Sequence, residues 1–389
     1  MKICVIAPVV IPLLGRNQRY GGIEVVISTI IEELTRIGHE VIVFASGDSN
    51  IEAKLIPTIE ISLGLGISFE KEIECNKLAY QMAIAERPDV IWDNTLALHT
   101  HTQATSEPEM PLGSNAELRL NAVMDTGNIP VVHTLHGPTK GHLTTIAQKL
   151  SQAGHYFVTI SRDQSIGYLG YISLGQHLGT IYNPVDLDFY KPSEKKSNNF
   201  LLWIGRFGME KGPHIALQVA HAINYPIVLI GKKSEPHEEA YFNEFIASQL
   251  RDSDLYLDQP TPDLKAEMLR NARTTLMTNL WSEPFGMVLA ESMASGTPVI
   301  GPAKGSLTEL IEFAGVLIKV DDLGLTEDVL EVDDAQHEYI LRIIRQINDV
   351  DRIPSSVPRK RAEFLFSPKT AAKGYEEAFL KAIYLKKIV

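Results

Sequence analysis

Cysteine is nearly absent: the 389 residues contain two, Cys4 and Cys75. One lies in an apolar run and the other in a helix-like stretch. They make neither a disulfide framework nor a metal knuckle and read as small buried side chains in a reducing compartment. Long apolar runs are lacking too, since no stretch approaches the roughly 20 residues that cross a bilayer as a helix. The opening MKICVIAPVVIPLLG comes nearest to a leader peptide. Pro8 and Pro12 interrupt it, and a glycine-rich turn and an amphipathic helix follow, so it reads as a first buried strand. The expected location is the cytoplasm. Basic charge is also short: 36 Lys and Arg stand against 48 Asp and Glu, a formal net charge of −12. That is the opposite of a nucleic-acid-binding footprint. Finally, no G-x-G-x-x-G follows the first strand, so the dinucleotide fingerprint is missing.

What remains is an ordinary globular composition, 44% hydrophobic and 22% charged. The length suits two domains. The first half opens with an apolar run at residues 2–7. Tyr20-Gly21-Gly22 then leads into a helix with Ile23, Ile27, Ile30, Ile31 and Leu34 on one stripe. Strands are expected at 41–45, 90–92, 129–135 and 156–160, and helices at 72–86 and 140–153. Residues 106–128 are loose and read as a short helix within an irregular insertion. A polar linker at 191–199 separates the halves. The same alternation restarts with strands at 200–204, 227–230, 254–257, 274–278, 297–300 and 316–319, and with helices from 213, at 238–250, at 262–271 and from 287. The expected class is α/β: two doubly wound, Rossmann-like domains facing a central cleft. The expected boundaries are 1–188, 189–369, and a terminal helix 370–389 that crosses back to the first domain.

The chemistry concentrates in Trp281 to Ser306. Glu283 and Glu291 stand eight positions apart, separated by Pro284-Phe285-Gly286-Met287 and a helix-forming run. Pro284 suits a turn or first helical turn, and Gly296 ends the helix. Glu283 then sits at the mouth of a strand-to-helix loop beside free N–H groups, with Glu291 in the second turn. Carboxylates accept bonds from vicinal hydroxyls, and helix N-termini favour anions, so the pair suits a polyhydroxylated ligand joined to phosphate. Alone, the same residues read equally well as one cap and one solvated Glu. Gly205-Arg206-Phe207-Gly208-Met209-Glu210-Lys211-Gly212 ends another strand and brings two cations together. His136 precedes Gly137-Pro138 at a strand end, Arg162 follows the strand at 156–160, and Asn183 to Asp186 forms a turn.

Together these stretches resemble the retaining nucleotide-sugar glycosyltransferases of family 4, which have the GT-B fold. Glu283 and Glu291 match its E-x7-E motif, Gly205 to Gly212 its G-R-x-x-x-E-K-G, and Gly21 to Glu24 its Gly-Gly loop. His136-Gly137 matches its H-G turn, and Asn183 to Asp186 its N-G-V-D segment. The resemblance implies transfer of a hexose from a nucleotide sugar, a UDP-sugar, to an acceptor hydroxyl with retention of configuration. It implies that Glu291 takes the ribose, Glu283 the donor sugar, and Arg206 and Lys211 the diphosphate. The N–H groups of Phe285, Gly286, Met287 and Val288 face the sugar or its phosphate. Gly21 and Gly22 admit the diphosphate from the other domain, and His136 lies near the transferred sugar. No metal and no separate cofactor are expected, because the two cations neutralise the leaving group.

The sequence departs from the family at Val25, Pro184 and Thr308, which bears on the acceptor rather than on the activity. Asp186-Leu187-Asp188 and Asp252-Ser253-Asp254 are read as structural, not as metal motifs. The acceptor carries no decodable motif. Lysines at the end of the terminal helix read first as a solvated face, with peripheral membrane contact left open. The rivals are a nucleotide-sugar-binding protein without catalysis, a phosphorylase or epimerase on the same fold, and a dinucleotide-dependent oxidoreductase.

Overall fold

The computed structural model describes residues 1–64, 69–96, 125–194, 196–233, 235–326 and 333–388. The chain divides into two compact units, Met1–Pro184 with Pro368–Val389, and Val185–Ser367.

The first unit is built on β1 (Lys2–Ile6), β2 (Glu40–Ser46), β3 (Lys54–Ile59), β4 (Val90–Asp93), β5 (Val131–Leu135), β6 (Tyr156–Thr159) and β7 (His177–Thr180). The sheet runs in the order β3-β2-β1-β4-β5-β6-β7, and every pairing is parallel. The central strands are apolar on both faces because helices cover both, so they read as continuous hydrophobic runs. The helix Gly22–Arg36 buries Ile27, Ile30, Ile31 and Leu34, whereas Ile23 stays half-buried. The terminal helix Pro368–Ile388 belongs to this unit: Tyr375 packs at 4.8 Å on Trp92, and Glu376 pairs with His39 at 3.1 Å.

The second unit carries β8 (Leu201–Arg206), β9 (Ile227–Lys232), β10 (Leu255–Asp258), β11 (Thr274–Leu276), β12 (Val299–Pro302) and β13 (Gly315–Ile318), in the order β10-β9-β8-β11-β12-β13. All pairs are again parallel.

Both sheets share one topological property. The chain builds outward from the first strand in one direction, then returns to its other side. In the first unit that reversal lies between β1 and β4, and in the second between β8 and β11. Parallel strands all end on one edge, and a crevice opens there where the order reverses; ligands of such sheets bind in it.

Several elements escape the sequence reading, the short helix Leu307–Ile311 among them. β3 is a half-exposed edge strand containing Pro57, which breaks the apolar pattern. β7 is also an edge strand, His-Leu-Gly-Thr, half-buried throughout and so without an apolar run. Arg162–Gly167 is a helix too short for a periodic signal. The helix expected at 238–250 is instead Pro236–Tyr241, a π-turn Phe242–Ile246 and a 3-10 turn Ala247–Gln249. Most of the loose segment expected at 106–128 lies outside the described residues.

Candidate active site

In the second unit the predicted residues collect at the reversal between β8 and β11. Arg206 is the last residue of β8. The following turn ends at Gly212, whose φ is 64°, and a Cβ there would meet Thr278 O at 2.2 Å. Glycine is required both for the left-handed conformation and for this close approach. The turn is stitched to the segment after β11: Leu280 N–H donates to Glu210 O at 2.8 Å, and Thr278 Oγ1 to Gly212 O at 2.6 Å. Phe207 anchors it from below, edge-on to Phe242 and Tyr256.

This stitching delivers Lys211 to Glu283. Lys211 Nζ donates to Glu283 Oε2 at 2.6 Å and lies 4.5 Å above the Trp281 ring. The same oxygen accepts from Asn279 Nδ2 at 2.6 Å and Trp281 Nε1 at 3.1 Å. Oε1 accepts from none of the described residues. The Glu283 backbone is held as well: its carbonyl accepts from Ser306 N–H at 3.1 Å, and Ser306 Oγ lies 2.9 Å and 3.0 Å from the carbonyls of Glu283 and Phe285.

Gly286, with φ of 86°, caps the helix Met287–Ala294; its carbonyl accepts from Leu289 and Ala290 N–H, and the Met287 and Val288 N–H groups have no acceptor within the helix. Phe285 is buried edge-on against Phe366, whereas Gly286, Met287 and Val288 stay half-buried at the helix mouth. Glu291 lies in the second turn, 5% exposed. Its carboxylate accepts from Lys265 Nζ at 2.7 Å and Tyr190 OH at 3.1 Å.

The two cations expected to face a ligand are thus paired with protein carboxylates. Arg206 binds Glu210 at 2.8 Å and also Glu238. In all, Arg206, Lys211 and Lys265 face Glu210, Glu238, Glu283 and Glu291. Lys265, Tyr190, Asn279, Trp281 and Glu238 were missed from sequence, because none is spaced regularly from the motif it serves. Trp281 and Asn279 were reachable, since they lie just before Glu283 in the same loop.

The first unit presents its own group at the corresponding edge. Gly21, with φ of 110°, caps the helix Gly22–Arg36 after β1. His136 follows β5, and its Nε2 lies 2.9 Å from Oδ1 of Asn94, which follows β4. Burial pushes the His136 imidazole down to about 4, against an opposing pull from Asp93, so the ring is neutral near pH 7. Arg162 opens its short helix exposed to solvent. Asp186 accepts the backbone N–H groups of Asp188 and Phe189, and Asp254 those of Arg251 and Ile227, so both D-x-D stretches are engaged in local structure. Among the described residues, no group of three or more His, Cys, Asp or Glu side chains is arranged to hold a metal ion.

Glu24 folds back over Gly21, and a Cβ at Gly21 would meet its Oε2 at 2.4 Å. Burial raises this carboxyl from 4.5 to about 7, opposed by its own backbone N–H. The folded state therefore holds a proton that the unfolded chain releases. This contribution to stability is complete below about pH 4.5 and is lost as pH rises through about 7. Above that, the ionised carboxylate costs about 3 kcal/mol. Glu24→Gln is expected to stabilise the first unit by up to that amount at about pH 8 and by little at about pH 4, as read by urea unfolding at both values through Trp92 fluorescence with Trp203 and Trp281 replaced by Phe.

Comparison with known proteins matches both units. Residues 20–189 match the family described as Glycosyltransferase Family 4, and residues 185–326 that described as Glycosyl transferases group 1. Phosphatidyl-myo-inositol mannosyltransferase of Mycolicibacterium smegmatis is 24% identical over 353 residues, covering 85% of this chain and 86% of its own. A D-inositol 3-phosphate glycosyltransferase of Thermomonospora curvata is 24% identical over 359 residues, covering 78% and 80%. Among solved structures, sucrose-phosphate synthase from Thermosynechococcus elongatus superposes with a TM-score of 0.75 at 18% identity, covering 99% of each chain. Anabaena HepE in complex with UDP-glucose superposes with a TM-score of 0.67 at 16% identity, covering 97% of this chain and 98% of its own. With parallel doubly wound sheets in both units and the two families matched end to end from residue 20 to residue 326, the chain belongs to the glycosyltransferases of the GT-B fold and resembles their family 4.

Proposed function

We propose that the protein transfers a hexose from a UDP-sugar to an acceptor hydroxyl, with retention at the anomeric carbon and without a metal ion. The observation that carries this is the Lys211–Glu283 pair at the β8/β11 reversal. An ammonium already placed beside the sugar carboxylate can turn to a diphosphate, and Glu283 then offers Oε1 to hydroxyl donors while Asn279 and Trp281 hold Oε2. Lys211 and Arg206 supply the positive charge that stabilises the departing nucleoside diphosphate. The bond from the anomeric carbon to the phosphate oxygen breaks, the acceptor oxygen bonds to that carbon, and the acceptor proton leaves on the phosphate. Glu283 is a poor covalent nucleophile, because Asn279 and Trp281 hold Oε2 and the sugar hydroxyls take Oε1. That favours same-face attack assisted by the departing phosphate, the form retention takes without a glycosyl-enzyme.

UDP is the proposed nucleotide because the fold relative HepE holds UDP and UDP-glucose. The cytoplasm is the proposed location, in keeping with two buried free thiols. No helix of the described residues is long and apolar enough to cross a membrane. Contact with a membrane surface is a matter for the acceptor. Isothermal titration with UDP, UDP-glucose, GDP-mannose and ADP-glucose, each with and without EDTA, tests the proposal. Tight binding of UDP and UDP-glucose, unchanged by EDTA, is expected. Binding lost with EDTA overturns metal independence, and no binding by any of the four overturns the donor site.

A further inference from the structure

His136 is held from two sides by residues that no motif marks. Gln164, on the short helix Arg162–Gly167, donates through Nε2 to the carbonyls of Leu135 and Gly137, each at 2.7 Å. These are the carbonyls of the residues before and after His136, so the chain is pinned on both sides of it. Asn94 holds the ring itself through the 2.9 Å contact to Nε2.

Asn94 is in turn rigid. Its N–H donates to Ile6 O at 3.0 Å, tying the end of β4 to β1. The preceding Asp93 accepts from Tyr80 OH at 2.6 Å and from Thr95 N–H and Oγ1 at 2.8 Å and 2.7 Å. A side chain on so fixed a turn has little freedom to follow the imidazole, so the imidazole must follow it.

An amide oxygen only accepts, which puts the proton of this contact on Nε2. A neutral imidazole carries one proton, so Nδ1 is a bare acceptor. Nδ1 of His136 is buried and without a partner among the described residues, and so is Nδ2 of Asn94. Two orphaned polar atoms on neighbouring buried residues are costly unless something is meant to satisfy them. They stand at the ends of β4 and β5, beside the β1/β4 reversal where sheets of this kind take ligands.

We propose that Asn94 is a positioning residue that fixes His136 in the Nε2–H tautomer, leaving Nδ1 to accept a hydroxyl proton from a bound sugar. The identity of the ligand rests on the function proposed above; the tautomer does not. The charge felt at His136 is that of Asp93, which itself faces His133.

Nitrogen-15 NMR of histidine-labelled protein tests this directly. The chain has 12 histidines, and His136→Gln identifies the signals of this one. In the native protein Nε2 is expected to carry the proton and Nδ1 to be bare, with the ring neutral down to about pH 5. Asn94→Leu removes the acceptor and should give a mixture of tautomers. Asn94→Asp keeps the acceptor but adds an anion, which favours the imidazolium and should raise its midpoint by about 1–3 pH units. Release of UDP from UDP-glucose should then fall in Asn94→Asp below the new midpoint and recover above it, because only the neutral ring has a bare Nδ1. A proton on Nδ1 in the native protein overturns the proposal, as does an unchanged tautomer in Asn94→Leu. Equal rates at every pH in native protein and Asn94→Asp, with the midpoint shifted, remove its functional half. The expected tautomer in a protein that neither binds nor cleaves UDP-glucose upholds the positioning and overturns only the donor reading.

Discussion

Lys211→Ala is expected to lower the rate of sugar transfer by about 10²–10³-fold, a loss of about 2–4 kcal/mol of transition-state stabilisation. The size follows from geometry. The ammonium is held at 2.6 Å from Glu283 Oε2, over the Trp281 ring, on a turn whose backbone is bonded to the segment after β11. From there it turns to the bound diphosphate, so the charge is in place before negative charge develops on the leaving phosphate. The fold should tolerate the change, because Glu283 keeps the Asn279 and Trp281 donors. The loss should therefore appear in kcat with the thermal midpoint little changed. Glu291→Ala should cost a similar factor but divide differently. By resemblance Glu291 holds the ribose, which is bound alike in ground and transition states, so more of its effect belongs in KM. Steady-state UDP release from the donor selected by titration measures both variants. Native turnover in both would remove the site from the β8/β11 reversal altogether.

The two-unit fold was legible because the central strands are short apolar runs, most of them followed by a glycine or polar turn and a helix-like stretch. β3 and β7 were not, since an edge strand need not be apolar on both faces. The site was legible where chemistry and backbone coincide in one stretch. Glu283 announces itself through Pro284 and Gly286, and Lys211 through Gly212, where a side chain would run into Thr278 O at 2.2 Å. It was illegible where a partner comes from another element. Lys265 lies on the helix Pro262–Asn271 and meets Glu291 across the packing of two helices. Asn94 and Gln164 likewise act on His136 only because β4, β5 and the helix after β6 lie side by side. Their sequence neighbourhoods, an Asp-Asn after Val-Ile-Trp and a Ser-capped turn, describe local structure and say nothing of a histidine elsewhere. The sequence also suggested cations open to a ligand. The structure pairs each with a carboxylate, since a half-buried ammonium or guanidinium is stable only with a counter-charge at hand.

Asp93→Ala is expected to destabilise the first unit by about 3–5 kcal/mol, the range for breaking a buried charged network from one side. Asp93 is fully buried, as is His133, whose Nδ1 lies 3.2 Å from Oδ2. Beyond it, His133 Nε2 meets His155 Nδ1 at 2.8 Å, and the ring stacks on Phe157. Burial alone would raise the Asp93 carboxyl; the bond and charge of His133, with Tyr80 and Thr95, outweigh it and hold the group down to about 2. Its folded value is thus below the unfolded 3.8, so it contributes stability that is complete above about pH 4 and lost as pH falls to about 2. That part amounts to about 2 kcal/mol. The rest of the loss in Asp93→Ala comes from leaving Tyr80, Thr95 and His133 without their acceptor in a dry core. A chain of two units does not unfold in one step, so the measurement must see the first alone. Of the three tryptophans, Trp92 lies in the first unit and Trp203 and Trp281 in the second. With both of the latter replaced by Phe, urea unfolding followed by fluorescence reports only on the sheet around Asp93. In that background the native protein should lose about 2 kcal/mol between about pH 4 and pH 2 through this group, and Asp93→Ala should show no such loss. A variant of native stability would mean that His133 and Tyr80 find other partners and that the network carries no weight in the fold.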